Sequence, residues 1–217
     1  MSNSKPIRRI AIIGTGVIGA SWTSLFLAKG LDVVATDVAP DAETALRRFV
    51  KTAWPALERL GLASGASQSR LTFTGDMPTA VKSADFVQEN GPERIDFKKK
   101  LYRQLDELLP ADVIVASSSS GLTMSEIQSE CRLHPERCVI GHPFNPPHLV
   151  PLVEIVGGAK TSAATIERAS EFYTGLGKQT VRLRKEVPGH VANRLQAALA
   201  REVYYLVALR RQFINRP

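Results

Sequence analysis

Short apolar runs alternate with longer amphipathic stretches almost throughout the chain. Strand-length runs fall at residues 10–13, 33–36, 71–74, 86–89, 113–116, 139–142, 152–156 and 180–183. Helix-length patterns fall at 17–29, 41–60, 96–109, 123–130, 162–176 and 190–209. This alternation predicts an α/β fold: a doubly wound, mostly parallel sheet with helices on both faces. Such sheets bind ligands at the carboxyl ends of their strands, where the winding reverses.

Two breaks interrupt the rhythm. Residues 61–67, rich in Gly, Ala and Ser, read as a turn, and Pro188-Gly189 reads as a domain boundary. The expected division is a nucleotide-binding domain at 1–187 and the first helix of an all-α domain at 188–217. In that last helix Leu195, Leu199, Val203 and Leu206 recur at helical spacing. An apolar stripe so near the end needs a partner, either the core domain or a second chain.

The first turn is the most specific motif. Ile10-Ala11-Ile12-Ile13 runs into Gly14-Thr15-Gly16-Val17-Ile18-Gly19, and Asp37 follows 18 residues after the last glycine. Gly14 permits the sharp turn, Gly16 lets a pyrophosphate approach the backbone, and Gly19 lets helix and sheet pack closely. Free N–H groups at the helix start suit phosphates. Asp37 would accept hydrogen bonds from ribose hydroxyls and repel a 2′-phosphate. The nearest following arginine, Arg47, is ten residues on. The expected cofactor is therefore NAD rather than NADP.

Composition narrows the picture. Apolar residues make up 44% and charged residues 23% of the 217, ordinary for a globular protein. No stretch approaches the roughly 20 apolar residues that cross a bilayer. Met1-Ser2-Asn3-Ser4-Lys5-Pro6 has no leader-like apolar core, so the expected address is cytoplasmic. Cys131 and Cys138 support neither a disulfide framework nor a metal site; they read as half-buried thiols around a loop and a strand. The net charge of +7 owes three charges to Arg210, Arg211 and Arg216. Elsewhere bases interleave with acids, as in Asp96-Phe97-Lys98-Lys99-Lys100, which reads as a solvated helix face. Nucleic acid is not an expected partner.

Polar residues at strand ends carry the candidate chemistry. Residues 113–116 lead into Ser117-Ser118-Ser119-Ser120-Gly121, the next strand ends at His142, and Glu154 interrupts an apolar strand. Asn193 lies at the start of the last helix. A dehydrogenase needs a base on the alcohol oxygen, and imidazole suits this near neutral pH. A carboxylate on its second nitrogen would fix the tautomer. His142 with Glu154 has that chemistry, with Ser120 and Asn193 to hold a substrate oxygen. Blander roles remain open on spacing alone: a satisfied strand-end histidine, a glutamate at a sheet edge, a polar turn. His134 and His190 read as loop and cap residues, and His148 as a further lining residue.

Seven ordered motifs resemble the 3-hydroxyacyl-CoA dehydrogenase superfamily across nearly the whole chain. They are the turn Gly14 to Gly19, Asp37, Gln88-Glu89-Asn90-Gly91-Pro92-Glu93-Arg94 with Lys98, the serine run, Gly141-His142-Pro143-Phe144-Asn145-Pro146, Leu152-Val153-Glu154-Ile155-Val156, and Gly189-His190-Val191-Ala192-Asn193-Arg194-Leu195. The resemblance implies His142 and Glu154 as the catalytic pair, with Ser120 and Asn193 at the substrate. It implies Glu93, Lys98, Ser120 and Asn145 along the cofactor or substrate site. The branch acting on small hydroxy acids, with the L-carnitine and lambda-crystallin-like L-gulonate 3-dehydrogenases, is the most similar. The acyl-CoA enzymes carry a serine and a lysine on the helix after Asp37; the roughly corresponding positions here look like Ala45 and Thr52, with Lys51 adjacent. Family members continue through a helical domain that forms a homodimer, so a member truncated after that domain's first helix is expected. The implied function is NAD-dependent oxidation of a 3-hydroxy acid. The alternatives are a 3-hydroxyacyl-CoA dehydrogenase and an NAD-binding protein without turnover.

Overall fold

The computed structural model describes residues 5–213; Met1 to Ser4 and Arg216, on which the leader and basic-tail expectations partly rest, lie outside the described residues. All eight expected strands form: β1 (Arg9–Ile13), β2 (Asp32–Thr36), β3 (Leu71–Thr74), β4 (Phe86–Glu89), β5 (Ile114–Ser117), β6 (Cys138–Pro143), β7 (Leu152–Gly157) and β8 (Gln179–Leu183). The helices are α1 (Val17–Ala28), α2 (Ala42–Leu60), α3 (Met77–Val81), α4 (Ile95–Leu108), α5 (Met124–Ile127), α6 (Ala163–Gly175) and α7 (Ala192–Phe213). The helix expected at 123–130 is shorter, closing as α5 and a 3-10 turn, Gln128–Glu130. Helix α3 escapes the periodicity because it is barely a turn long. It is started by Asp76, which accepts the Thr79 N–H.

The strands form one sheet in the order β3-β2-β1-β4-β5-β6-β7-β8. The winding reverses between β1 and β4, whose parallel pairing aligns Ile13 with Glu89. The crevice beyond these strand ends is where this architecture receives a nucleotide. Strand β7 departs from the parallel pattern and runs antiparallel to β6. The connection between them holds no helix, and so short a link cannot make the crossover that parallel strands need. Helix α6 does supply a crossover, and β8 runs parallel to β7.

Both sheet faces are buried, so alternate residues of one strand enter different cores. Ile10 and Ile12 pack with Trp22, Phe26, Leu46 and Tyr173. Ala11 and Ile13 pack with Val87, Leu105, Val115 and Ile140 on the opposite face. Cys131 and Cys138 belong to that second core and are free and buried, not half-buried as their loop and strand-start positions suggest. Helix α7 begins after a turn with positive φ at Gly189 and His190. Its Leu195, Leu199, Val203 and Leu206 are exposed, so the core domain does not cover the stripe.

Gly141 lies in β6 with the Tyr173 ring directly above it, and a side chain there would collide with the phenol oxygen. The same hydroxyl donates to Gln88 Oε1 at 2.5 Å. Gly141→Ala is expected to lower stability by about 1–3 kcal/mol, read as a lower urea midpoint. An unchanged midpoint would mean that Tyr173 yields freely.

Candidate active site

Backbone geometry builds the glycine turn. Gly14 has φ +83°, and a Cβ there would approach the Asn90 carbonyl oxygen to 2.8 Å. A Cβ on Gly19 would overlap the Gly14 carbonyl, whereas Gly16 faces open space. No side chain caps α1 and no acid lies in its first turn, leaving its leading N–H groups available to a phosphate. Thr15 is buried against Asp37, and Val17 is exposed.

Asp37 Oδ2 accepts the Thr15 N–H at 2.6 Å and hydroxyl at 2.9 Å, and Oδ1 accepts the Ala39 N–H at 2.9 Å. Burial pushes this carboxyl upward, but the Thr15 and Ala39 bonds prevail and hold it below its usual value. Beside it lies a cavity of about 510 Å³, lined by Gly14, Gly16, Asp37, Val38, Met77, Phe97 and Leu101 among others. Its apolar walls suit a flat ring, and Asp37 suits a ribose diol. Among the described residues, no lysine or arginine lines it. Residues here therefore fit the expected NAD, and a 2′-phosphate would meet the aspartate without a lining cation to offset it.

A second cavity, about 450 Å³, shares Asn90 and Gly91 with the first. Ile18, Glu93, Lys98, Ser120, His142, Phe144, Asn145, Asn193 and Gln196 contribute to its walls. The antiparallel register sets His142 directly opposite Glu154. His142 Nδ1–H donates to Glu154 Oε2 at 2.8 Å. The carboxylate can only accept, so Nε2 of the neutral ring keeps its lone pair. Burial lowers the imidazole pKa, against the opposing pull of Glu154. Burial pushes Glu154 the other way, but the N–H groups of Ala192 and Val191 and the His142 bond hold it below its usual value. The result is an ionised carboxylate beside a neutral imidazole.

The serine loop is held from two sides. Glu93 Oε1 accepts from Ser119 Oγ at 2.7 Å and from the N–H groups of Ser120 and Gly121 at 2.9 and 2.8 Å. Burial opposes ionisation of Glu93, but these bonds and nearby Lys98 keep its pKa lowered. On the other side, Asn193 Nδ2 donates to the Ser120 carbonyl at 3.1 Å. The Gly189 N–H reaches the Gly121 carbonyl at 3.3 Å. The exposed Ser120 side chain is left facing the cavity.

Several expectations change. Lys98 is not on a solvated face; it is 1% exposed and bonds both Glu89 oxygens at 2.7 and 2.8 Å. Ser117 Oγ and the Gly91 N–H donate to the same carboxylate at 2.6 Å. His190 is not a surface cap: it is 1% exposed, with its ring centroid 5.2 Å from that of His142. His148 does not line the cavity with His142, because Ser21 holds it away on both Nδ1 and its backbone N–H. His134 stays in a loop beside Glu136. Sequence reasoning missed Glu89 and Ser118 as site supports, the latter accepting from Gln88 Nε2 at 3.0 Å and donating to Asn90 Oδ1 at 2.7 Å; two adjacent polar residues in β4, Gln88 and Glu89, were the available signal. No group of three or more His, Cys, Asp or Glu suited to a metal occurs among the described residues.

A family profile described as "3-hydroxyacyl-CoA dehydrogenase, NAD binding domain" matches residues 9–187. The chain belongs to the 3-hydroxyacyl-CoA dehydrogenase family. Its nucleotide-binding domain is that family's NAD-binding domain. It is 53% identical over 202 residues to an L-carnitine dehydrogenase of Streptomyces griseus, covering 93% of this chain and 60% of that protein. A Pseudomonas putida L-carnitine dehydrogenase is 54% identical over 201 residues, covering 93% and 62%. The chain thus spans about three fifths of these curated relatives. Among solved structures, an NAD+-dependent 5-formyl-3-hydroxy-2-methylpyridine 4-carboxylic acid 5-dehydrogenase superposes with TM-score 0.86 at 39% identity, covering 97% of this chain and 67% of that one. Escherichia coli 3-hydroxybutyryl-CoA dehydrogenase superposes with TM-score 0.85 at 28% identity, covering 95% and 44%.

The pKa directions give a testable sign. His142 and His148 both fall below 6.5 in the folded chain, chiefly through burial, so below that pH the unfolded chain binds protons first. Stability is expected to fall as pH drops from about 6.5, and again below the usual 4.5 of Glu154. His142→Gln should flatten the first fall in urea midpoints measured between pH 8 and 5, leaving the share owed to His148. A variant with the wild-type slope would contradict the burial argument.

Proposed function

We propose that this chain carries the nucleotide-binding and catalytic part of an NAD-dependent dehydrogenase acting on the hydroxyl of a small 3-hydroxy acid of the carnitine type. The observation that carries the reading is the buried His142–Glu154 pair. Its His142 lines a cavity that shares its wall with the glycine-turn cavity. Bound NAD would supply the hydride acceptor. His142 Nε2 faces no competing partner among the described residues and would take the hydroxyl proton. Glu154 Oε2 holds the other ring nitrogen and stabilises the imidazolium that follows. The Ser120 hydroxyl and the Asn193 carboxamide, whose second N–H remains after the Ser120 bond, would hold the substrate oxygen. Asn145, Glu93 and Lys98 would shape the cofactor side of the cavity.

The domain boundary fits the same reading, with 1–187 as the nucleotide-binding unit and 188–217 as the start of a helical unit. The exposed apolar residues of α7 support a homodimer through that unit. Two buried thiols that remain free suit a reducing, cytoplasmic setting. A thioester substrate is the second reading, favoured by the superposition on 3-hydroxybutyryl-CoA dehydrogenase.

Substrate-dependent appearance of NADH separates these readings, with L-carnitine, L-gulonate and 3-hydroxybutyryl-CoA compared side by side. Turnover with L-carnitine is expected to exceed that with the thioester. His142→Gln should lower it by about a hundred- to ten-thousand-fold and leave NADH affinity unchanged. Tight NADH binding without turnover on any of the three would favour a nucleotide-binding protein instead.

A further inference from the structure

His190 has no place in the reading above, yet it touches both halves of the site. It sits in the turn ahead of α7 with φ +50°, a left-handed conformation that a histidine seldom adopts. Its ring centroid lies 5.2 Å from that of His142, with the planes inclined at 49°. Phe144 occupies another side of His142, with centroids 5.3 Å apart. His190 Nε2 is 3.0 Å from the Ser119 carbonyl oxygen. A carbonyl only accepts, so Nε2 carries the hydrogen. Nδ1 is buried with no partner among the described residues.

A buried polar atom without a partner costs stability, and a phenylalanine would fill the same space without one. The imidazole must therefore be justified by its N–H bond or by its neighbour. Among the described residues, the N–H bond is the only side-chain tie to the carbonyl of Ser119, the residue just before Ser120. The neighbour is the proposed base.

We propose that His190 is a positioning residue for the oxidation. Its N–H fixes the serine loop, and its ring fixes the orientation and proton affinity of His142. The inference rests on the reading of His142 as the base. A second imidazole disfavours a positive charge on His142. The other charged groups facing His142 are Glu154 from β7, Glu93 from the turn after β4 and, across the cavity, Lys98 from α4. The carboxylates pull its proton affinity up and His190 offsets part of that pull. Burial is the larger cause that lowers the His142 pKa, and His190 acts in the same direction.

Two variants separate the two tasks. His190→Phe keeps a flat ring and loses the N–H; His190→Gln loses the ring and keeps an amide N–H within reach of Ser119. The readout is the pH titration of the His142 Cε1–H resonance, together with the amide resonances of Ser119, Ser120 and Gly121. Both variants should raise the His142 midpoint by about half a unit. Only His190→Phe should displace the serine-loop amides. In turnover assays His190→Phe is expected to lose about tenfold in kcat with NADH affinity within about twofold, and His190→Gln to recover part of it. A purely structural histidine would lower the melting temperature without moving the midpoint. An unmoved His142 midpoint in both variants overturns the proposal. The titration needs no substrate, so it decides this inference by itself. Failure of the oxidation reading would appear separately, as a His142→Gln variant that turns over as well as wild type.

Discussion

Burying a histidine beside a glutamate is costly unless each ionisable atom finds a fixed partner, and the antiparallel pairing of β6 with β7 provides that fix. Opposed residues in such a ladder place their side chains on the same face, so His142 meets Glu154 without any loop having to bring them together. A parallel β7 would have needed a long crossover, and nothing would then align residue 142 with residue 154. The loop between the two strands is tied down from below by Ser21, which receives the His148 N–H. Lys178 adds a second tie, donating to the Pro147 and Val150 carbonyls while stacking 5.4 Å from the Trp22 ring centre. That anchoring keeps Phe144 and Asn145 at the cavity wall.

Charge is managed in the same economical way elsewhere in the site. Glu89 and Lys98 are both almost wholly buried, and their mutual attraction alone would not offset desolvation. Ser117 and the Gly91 N–H complete the carboxylate's partners, so the pair is fully engaged. Its consequence is local rigidity: β4, the start of α4 and the end of β5 are joined beneath the serine loop. Glu93, four residues after Glu89, then gathers the N–H groups of that loop from above. Two nearby carboxylates thus perform separate tasks: Glu89 at the end of β4 takes the Lys98 ammonium, and Glu93 takes the serine-loop N–H groups.

Much of this was legible in the chain. Burial of both sheet faces made the strands readable as short continuous apolar runs, and the glycine spacing with Asp37 located the nucleotide crevice. His142, Ser120 and Asn193, which the strand-end pattern singled out, line one cavity, and Glu154 bonds His142 behind it. What stayed hidden depends on contacts distant in sequence. Lys98 looks solvated because its neighbours Lys99 and Lys100 are charged, yet its partner lies in β4. His190 follows a glycine and reads as a cap, although the positive φ turns its ring inward. His148 follows the proline-rich turn closely but is claimed by Ser21, 127 residues away. In each case local polarity was read correctly and the partner was not.

The start of α7 shows why the two parts of the chain act together. Glu154 Oε1 accepts the N–H groups of Val191 and Ala192 at 3.1 and 2.9 Å, while Oε2 serves His142. These N–H groups belong to the leading turn of α7, which has no intrahelical acceptors for them. The carboxylate is therefore the cap of the last helix as well as the partner of the imidazole. Beyond Asn193 the helix carries an exposed apolar face, so whatever covers that face bears on the same leading turn. A rotation of α7 would change the bonds to Glu154 Oε1 and to the Ser120 carbonyl at once. The carboxylate that holds His142 and the Ser120 backbone are consequently tied to one helix end, not to the sheet alone.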